Sequence, residues 1–282
     1  MPPRYYFTVT TGRAGQASLT AFLNRNVLGC HAAFEEPNIK AVLPNPLGYY
    51  EKRLRRRFLE THELLGRGKV IDAFETGDET YLYAAAERRL RYIDKRLRKS
   101  RCSIFVDVSK YFARGLHRAL LCRVGEAGLI RLVRDPILNM RSFLNRNKDF
   151  RLDNSLPDAP TNIFRLDNAE LDKGEYYLWA WCELYLRFDA LVAEFGVEHA
   201  VEIRADELED PVRMAMCLDT LGMPHGKIAV APPQNTNLSQ GYGTTEPEAA
   251  DVGTFLRFID RIPADIRERI PYLDDYQPVH CA

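Results

Sequence analysis

Strand-like and helix-like stretches alternate along the 282 residues, which predicts an α/β fold of βαβ units on a parallel sheet. Two handovers from strand to helix support this most directly. The run Tyr5–Thr10 is aromatic and β-branched, Gly12 and Gly15 interrupt it, and Leu19, Phe22 and Leu23 then recur at helical spacing. Farther on, Leu129-Ile130-Arg131-Leu132-Val133 reads as a strand, Asp135 as a helix cap and Pro136 as a first-turn residue.

In order, strands are predicted at 5–10, 69–73, 103–108, 128–133 and 199–204. Helices are predicted at 16–25, 51–65, 78–99, 111–122, 136–147, 174–195, 206–221 and 248–260. Leu90, Ile93 and Leu97 fall at core spacing in the third of these, and Tyr176, Tyr177, Leu178, Trp179, Trp181 and Leu184 read as helix core in the sixth. Residues 147–172 break the rhythm with prolines, asparagines and aspartates and read as a lid, because irregular loops of that length usually serve a function. A second irregular stretch covers 231–247. Neither repeats nor low-complexity tracts occur, and one domain over residues 1–282 is expected.

A hydrophobic content of 46% is enough to bury a full core. The 39 basic and 39 acidic residues balance, so bulk charge draws the molecule to neither nucleic acid nor membrane, and any anion site must be local. Six cysteines without CxxC pairs read as reduced thiols of a cytoplasmic protein. The N-terminus carries no signal pattern, and no apolar run approaches the ~20 residues of a membrane span.

Glycines between a strand and a helix let an anion approach the N–H groups and partial positive charge of the helix terminus. Thr11-Gly12-Arg13-Ala14-Gly15-Gln16-Ala17-Ser18 has this form, and Arg134-Asp135-Pro136 with Ser142 repeats the plan. Together these residues resemble the sulfotransferases that use 3′-phosphoadenosine 5′-phosphosulfate (PAPS). Arg13 and Gly15 match the family's 5′-phosphosulfate loop. Arg134 and Ser142 match its 3′-phosphate pair at the usual spacing of eight, and Phe34-Glu35-Glu36-Pro37 resembles the acidic segment of its carbohydrate and bacterial branches. Arg204-Ala205-Asp206-Glu207-Leu208-Glu209-Asp210-Pro211, followed by Leu221-Gly222-Met223-Pro224, is similar to a late structural stretch of the family.

The resemblance implies a three-layer α/β/α, P-loop NTPase-like sulfotransferase fold. It also implies a donor site at Arg13, Ala14, Gly15, Gln16, Ala17, Ser18, Arg134 and Ser142, with the bisphosphate PAP as product. Gln16-Ala17 stand where the family usually has two threonines, so the Gln16 amide and Ser18 hydroxyl are expected to take over phosphate contact. Attack on sulfur builds charge on the leaving phosphate, which Arg13 and Lys110 are placed to meet. No metal is required. The histidine of the cytosolic small-molecule branch is missing from Asp107-Val108-Ser109-Lys110-Tyr111-Phe112, which shifts the base to Glu36, then Glu35, with Asp107 more remote. The six histidines share no spacing and receive no role, although His31 lies toward the acceptor side. A hydroxyl-bearing small molecule or carbohydrate is the expected acceptor, chosen by residues 40–100 and 147–175.

Two other functions compete. A P-loop kinase needs lysine after the loop glycine, where Gln16-Ala17-Ser18 stand. A polyanion-binding protein would use the basic runs 52–57 and 88–99, but these also read as charged outer faces with leucines turned inward. In an enzyme they would accommodate an anionic acceptor.

Overall fold

The computed structural model describes residues 4–37, 42–44, 46–58, 61–145, 157–166, 171–230 and 246–273. Five parallel strands, β1 (Tyr5–Val9), β2 (Cys30–Phe34), β3 (Ile104–Val108), β4 (Ala127–Val133) and β5 (His199–Arg204), form one sheet in the order β2-β3-β1-β4-β5. The helices between β1 and β3 are α1 (Gln16–Asn26), α2 (Leu47–Phe58), α3 (Thr61–Leu64), α4 (Lys69–Thr76) and α5 (Glu79–Ser100). Next come α6 (His117–Val124), α7 (Pro136–Leu144), α8 (Lys173–Phe195), α9 (Pro211–Thr220), α10 (Ala249–Ile259) and α11 (Ala264–Arg267).

Successive strand side chains face opposite ways, and both faces are apolar, as a covered parallel sheet requires. Phe7, Val9, Phe105 and Leu129 pack with Val70 of α4, Ile93 and Leu97 of α5, Leu120 of α6 and Leu184 and Phe188 of α8. On the other face Tyr6, Val106, Val108, Ile130, Leu132 and Ile203 meet Leu19 and Leu23 of α1 and Met214 and Leu218 of α9. A further cluster joins α7, α8, α10 and α11 through Ile137, Trp179, Phe255, Phe258 and Ile266. The architecture is the expected three-layer α/β/α fold with a central parallel sheet.

Three expectations about elements are corrected. Residues 69–73 are not a strand but lie in α4, which buries Val70, Ile71 and Ala73 and ends at Gly77 in the left-handed conformation. Short apolar runs suit either element. The edge position is taken instead by β2, whose Cys-His-Ala-Ala-Phe sequence has little strand propensity and pairs residue by residue with β3, Cys30 with Ile104 through Phe34 with Val108. The expected helix 111–122 divides into a 3-10 turn, Phe112–Arg114, and α6. The helix 206–221 divides at Asp210, whose side chain caps α9 by accepting from the Val212 and Arg213 N–H groups.

Much of the expected lid, residues 146–156 and 167–170, lies outside the described residues, as does 231–245 of the late loop. Residues 157–166 are anchored: Glu183 accepts from the Ile163 and Phe164 N–H groups, and Trp179 Nε1 donates to the Phe164 carbonyl at 2.9 Å.

Candidate active site

β1 is central, with β3 and β4 on either side, so the loops leaving the carboxyl ends of these strands meet where α/β sheets receive ligands. The loop after β1 bends through three left-handed residues, Gly12 at φ 92°, Arg13 at φ 61° and Gly15 at φ 88°. Gly15 is the N-cap of α1, which has no capping side chain and no acid in its first turn. Leu208 explains one glycine: a Cβ on Gly15 would stand 3.1 Å from its Cδ1. The late stretch around Arg204–Pro211 thus acts structurally, packing on the loop.

Buried polar groups hold the loop from beneath. Asn139 of α7 donates to the Gly12 carbonyl at 3.2 Å and accepts from the Thr11 hydroxyl at 3.1 Å. Tyr177 of α8 donates to the same carbonyl at 3.2 Å and contacts Asn139 Oδ1. Burial pushes the Tyr177 phenol up to about 12, against the lowering influence of Thr11, Arg114, Arg13 and Arg134, so it stays a donor. Arg114 Nη2 donates to the Thr11 carbonyl at 3.1 Å.

The two expected halves of the donor site meet. Arg13 Nε donates to the buried Ser142 Oγ at 3.3 Å, and Arg134 Nη1 donates to the Arg13 carbonyl at 3.4 Å. Asp135 caps α7 by accepting from Leu138 N at 2.8 Å, and Trp181 Nε1 donates to the Arg134 carbonyl at 3.1 Å, which fixes the backbone carrying Arg134. Ala14 is buried in the core beside α1, and Ala17 and Ser18 stand half-buried in the first turn of α1. Gln16 is 6% exposed, and its Nε2 has no hydrogen-bond partner among the described residues.

Lys110 arrives from the end of β3. Its stem crosses the loop, with Cδ 2.9 Å from where a Gly12 Cβ would be, and its Nζ lies 3.9 Å from Glu35 Oε1. Glu35 takes a left-handed turn at φ 46°, and its side chain is thereby directed to Lys110 while Glu36 goes elsewhere. Glu36 meets Arg96 at 2.5 Å and His31 Nε2 at 3.1 Å, and its carbonyl accepts from Arg89. Burial would raise the Glu36 carboxyl, but the His31 hydrogen bond and the charges of Arg96, His31 and Arg89 outweigh it and hold it below the usual range. Arg89, 1% exposed, also pairs with Asp107 at 2.7 Å. Burial raises the Asp107 carboxyl in spite of Arg89.

Several of these residues are not legible as site residues in the sequence. Arg89 and Arg96 belong to a basic run expected to face outward, and His31 shares no spacing with the other histidines. Asn139 alone left a signal: it precedes Ser142 by three and therefore shares its helix face.

No protein-family model matches the chain, and no curated protein matches it. Among solved structures, a sulfotransferase from Mycobacterium avium superimposes with a TM-score of 0.51 at 15% identity, covering 98% of this chain and 78% of its own. The sulfotransferase domain of the Synechococcus PCC 7002 olefin synthase covers 98% of this chain and 96% of its own at 14% identity and a TM-score of 0.48. By the first of these likenesses, the chain has the fold of a bacterial sulfotransferase.

Proposed function

We propose that this protein is a cytoplasmic, single-domain sulfotransferase that moves a sulfuryl group from PAPS to the hydroxyl of a small-molecule, carbohydrate or secondary-metabolite acceptor. The observation that carries this reading is the junction of Arg13 with Ser142 and Arg134, which puts residues matched to the 5′ and 3′ sides of the nucleotide within one hydrogen-bonded unit. The donor also fits the loop. The α1 terminus, which has no side-chain cap, and the buried Gln16 Nε2, which has no hydrogen-bond partner among the described residues, supply N–H groups for an anion. Arg13, Ala14, Gly15, Gln16, Ala17 and Ser18 would take the 5′ end, and Arg134 and Ser142 the 3′-phosphate.

In the reaction the acceptor oxygen attacks sulfur in line and the bond from sulfur to the phosphate oxygen breaks, leaving its electron pair on that oxygen. Arg13 and Lys110 meet this charge. The acceptor proton goes to a carboxylate. Glu36, the first choice from sequence, is held by Arg96 and His31 below the usual range, which weakens it as a base. Glu35, joined through Lys110 to the loop, is the better-placed acceptor of the proton in this reading, with Glu36 orienting the turn.

Thermal shift tests the assignment. 3′,5′-Bisphosphoadenosine should stabilise the protein, by about 2.7 kcal/mol at a hundredfold excess over Kd. Stabilisation by ATP with magnesium instead would favour a kinase, and by oligonucleotides a polyanion-binding protein. Transfer of label from PAPS to a hydroxyl acceptor then tests the reaction itself.

A further inference from the structure

In the basic run at 52–57, Leu54 is exposed and not turned inward as expected. α2 (Leu47–Phe58) buries Gly48 and half-buries Glu51 and Arg55, so that side of the helix faces the protein. Leu47, Tyr50 and Leu54, spaced i, i+3 and i+7, form the apolar stripe, yet they are 61%, 64% and 59% exposed. Val42 and Leu43, also exposed, are tied to the same helix because their N–H groups donate to Glu51 at 2.9 and 2.8 Å. A second Tyr, Tyr49, is exposed beside the stripe. Lys52, Arg53, Arg55, Arg56 and Arg57 stand against Glu51 alone in this helix, inside a chain whose total charge is zero. Arg55 pairs with Glu51 at 3.0 Å, and Arg53 is exposed.

We propose that α2, with residues 42–43, docks this protein on an anionic lipid surface. The helix would lie in the plane of the headgroups, the leucines and Val42 entering the acyl boundary, the tyrosines at headgroup level and Arg53 on lipid phosphates. Charge complementarity selects this occupant. A second copy would bring one strongly basic helix against another, whereas an anionic bilayer matches both the exposed apolar stripe and the basic composition of the helix. Attachment would be peripheral, since no helix among the described residues is long and apolar enough to cross a membrane.

The test is flotation of the full chain with phosphatidylcholine vesicles, pure or with about one-third phosphatidylglycerol, at about 0.1 M and about 0.5 M salt. The protein should float with the anionic vesicles only and be released by the higher salt. Tyr50→Ser combined with Leu54→Ser changes two exposed positions and should lower the partition coefficient at least about tenfold with an unchanged melting temperature. Arg53→Glu should lower it as well. Absence of flotation, equal flotation with neutral vesicles, or wild-type binding by the double variant overturns the proposal. So does a concentration-dependent dimer that the double variant abolishes without any vesicle binding, which assigns the stripe to a second copy. No nucleotide enters either measurement, so the outcome is independent of the sulfotransferase reading.

Discussion

Arg13 Nε and Ser142 Oγ, 129 positions apart in the chain, lie 3.3 Å from each other, so the loop after β1 and the helix after β4 share one polar contact. If Arg134 and Ser142 hold the 3′-phosphate, Arg134→Ala should weaken bisphosphate binding by roughly 1.5–3 kcal/mol, the size of a charge-assisted hydrogen bond, and Ser142→Ala by less. Calorimetry with 3′,5′-bisphosphoadenosine and adenosine 5′-phosphate checks this. Both variants should lose the preference for the bisphosphate, and unchanged discrimination removes the assignment.

Gly12 combines a left-handed backbone with the close passage of Lys110. Gly12→Ala should cost about 1–3 kcal/mol in stability through backbone strain, and should weaken bisphosphate binding by displacing Lys110. Denaturant unfolding reads the first effect and calorimetry the second. A variant matching the parent in both would show that the loop tolerates a side chain there.

The two adjacent glutamates should separate. Glu35→Gln should reduce turnover about 10²–10⁴-fold with bisphosphate affinity retained, because the amide cannot take the proton. Glu36→Gln should act more mildly, by loosening the contacts with Arg96 and His31. The reverse ranking at saturating donor and acceptor returns the base to Glu36.

His117 gives a pH dependence with a definite sign. Burial first, then the charges of Arg187 and Arg118, push its pKa down from 6.5 to about 3, so the unfolded chain takes up a proton over this window and the folded one does not. Stability is therefore full above pH 6.5 and falls as the pH drops toward 3, by roughly 1.4 kcal/mol per pH unit from this group. His117→Phe, set between Phe74 and Phe112, should flatten that slope in urea titrations at successive pH values. An unaltered slope would mean that other groups carry the acid sensitivity.

Arg89 links Asp107 to the backbone of Glu36 within the core. Arg89→Met should destabilise the fold by about 3–5 kcal/mol, since Asp107 then keeps a buried charge without its partner. Adding Asp107→Asn should restore part of that loss. A double variant no more stable than the single one would show that the pair is not coupled.

The sequence alone determined the features that depend on local pattern. Strand–glycine–helix at residues 5–25 and strand–Asp–Pro–helix at 128–144 dictated the parallel α/β architecture, and the spacing of Arg134 and Ser142 pointed to the proposed anion site. Tertiary structure decided what local pattern leaves open. Cys30–Phe34 becomes a strand because β3 offers it an edge, and Lys69–Thr76 becomes a helix because it caps the core above Gly115. Helical spacing placed Arg89 and Arg96 on an amphipathic helix, but only the packed fold brings the turn at Glu36 within their reach. The left-handed turn at Glu35 sends two neighbouring carboxylates to different cations, an outcome set by backbone conformation that residue type does not encode.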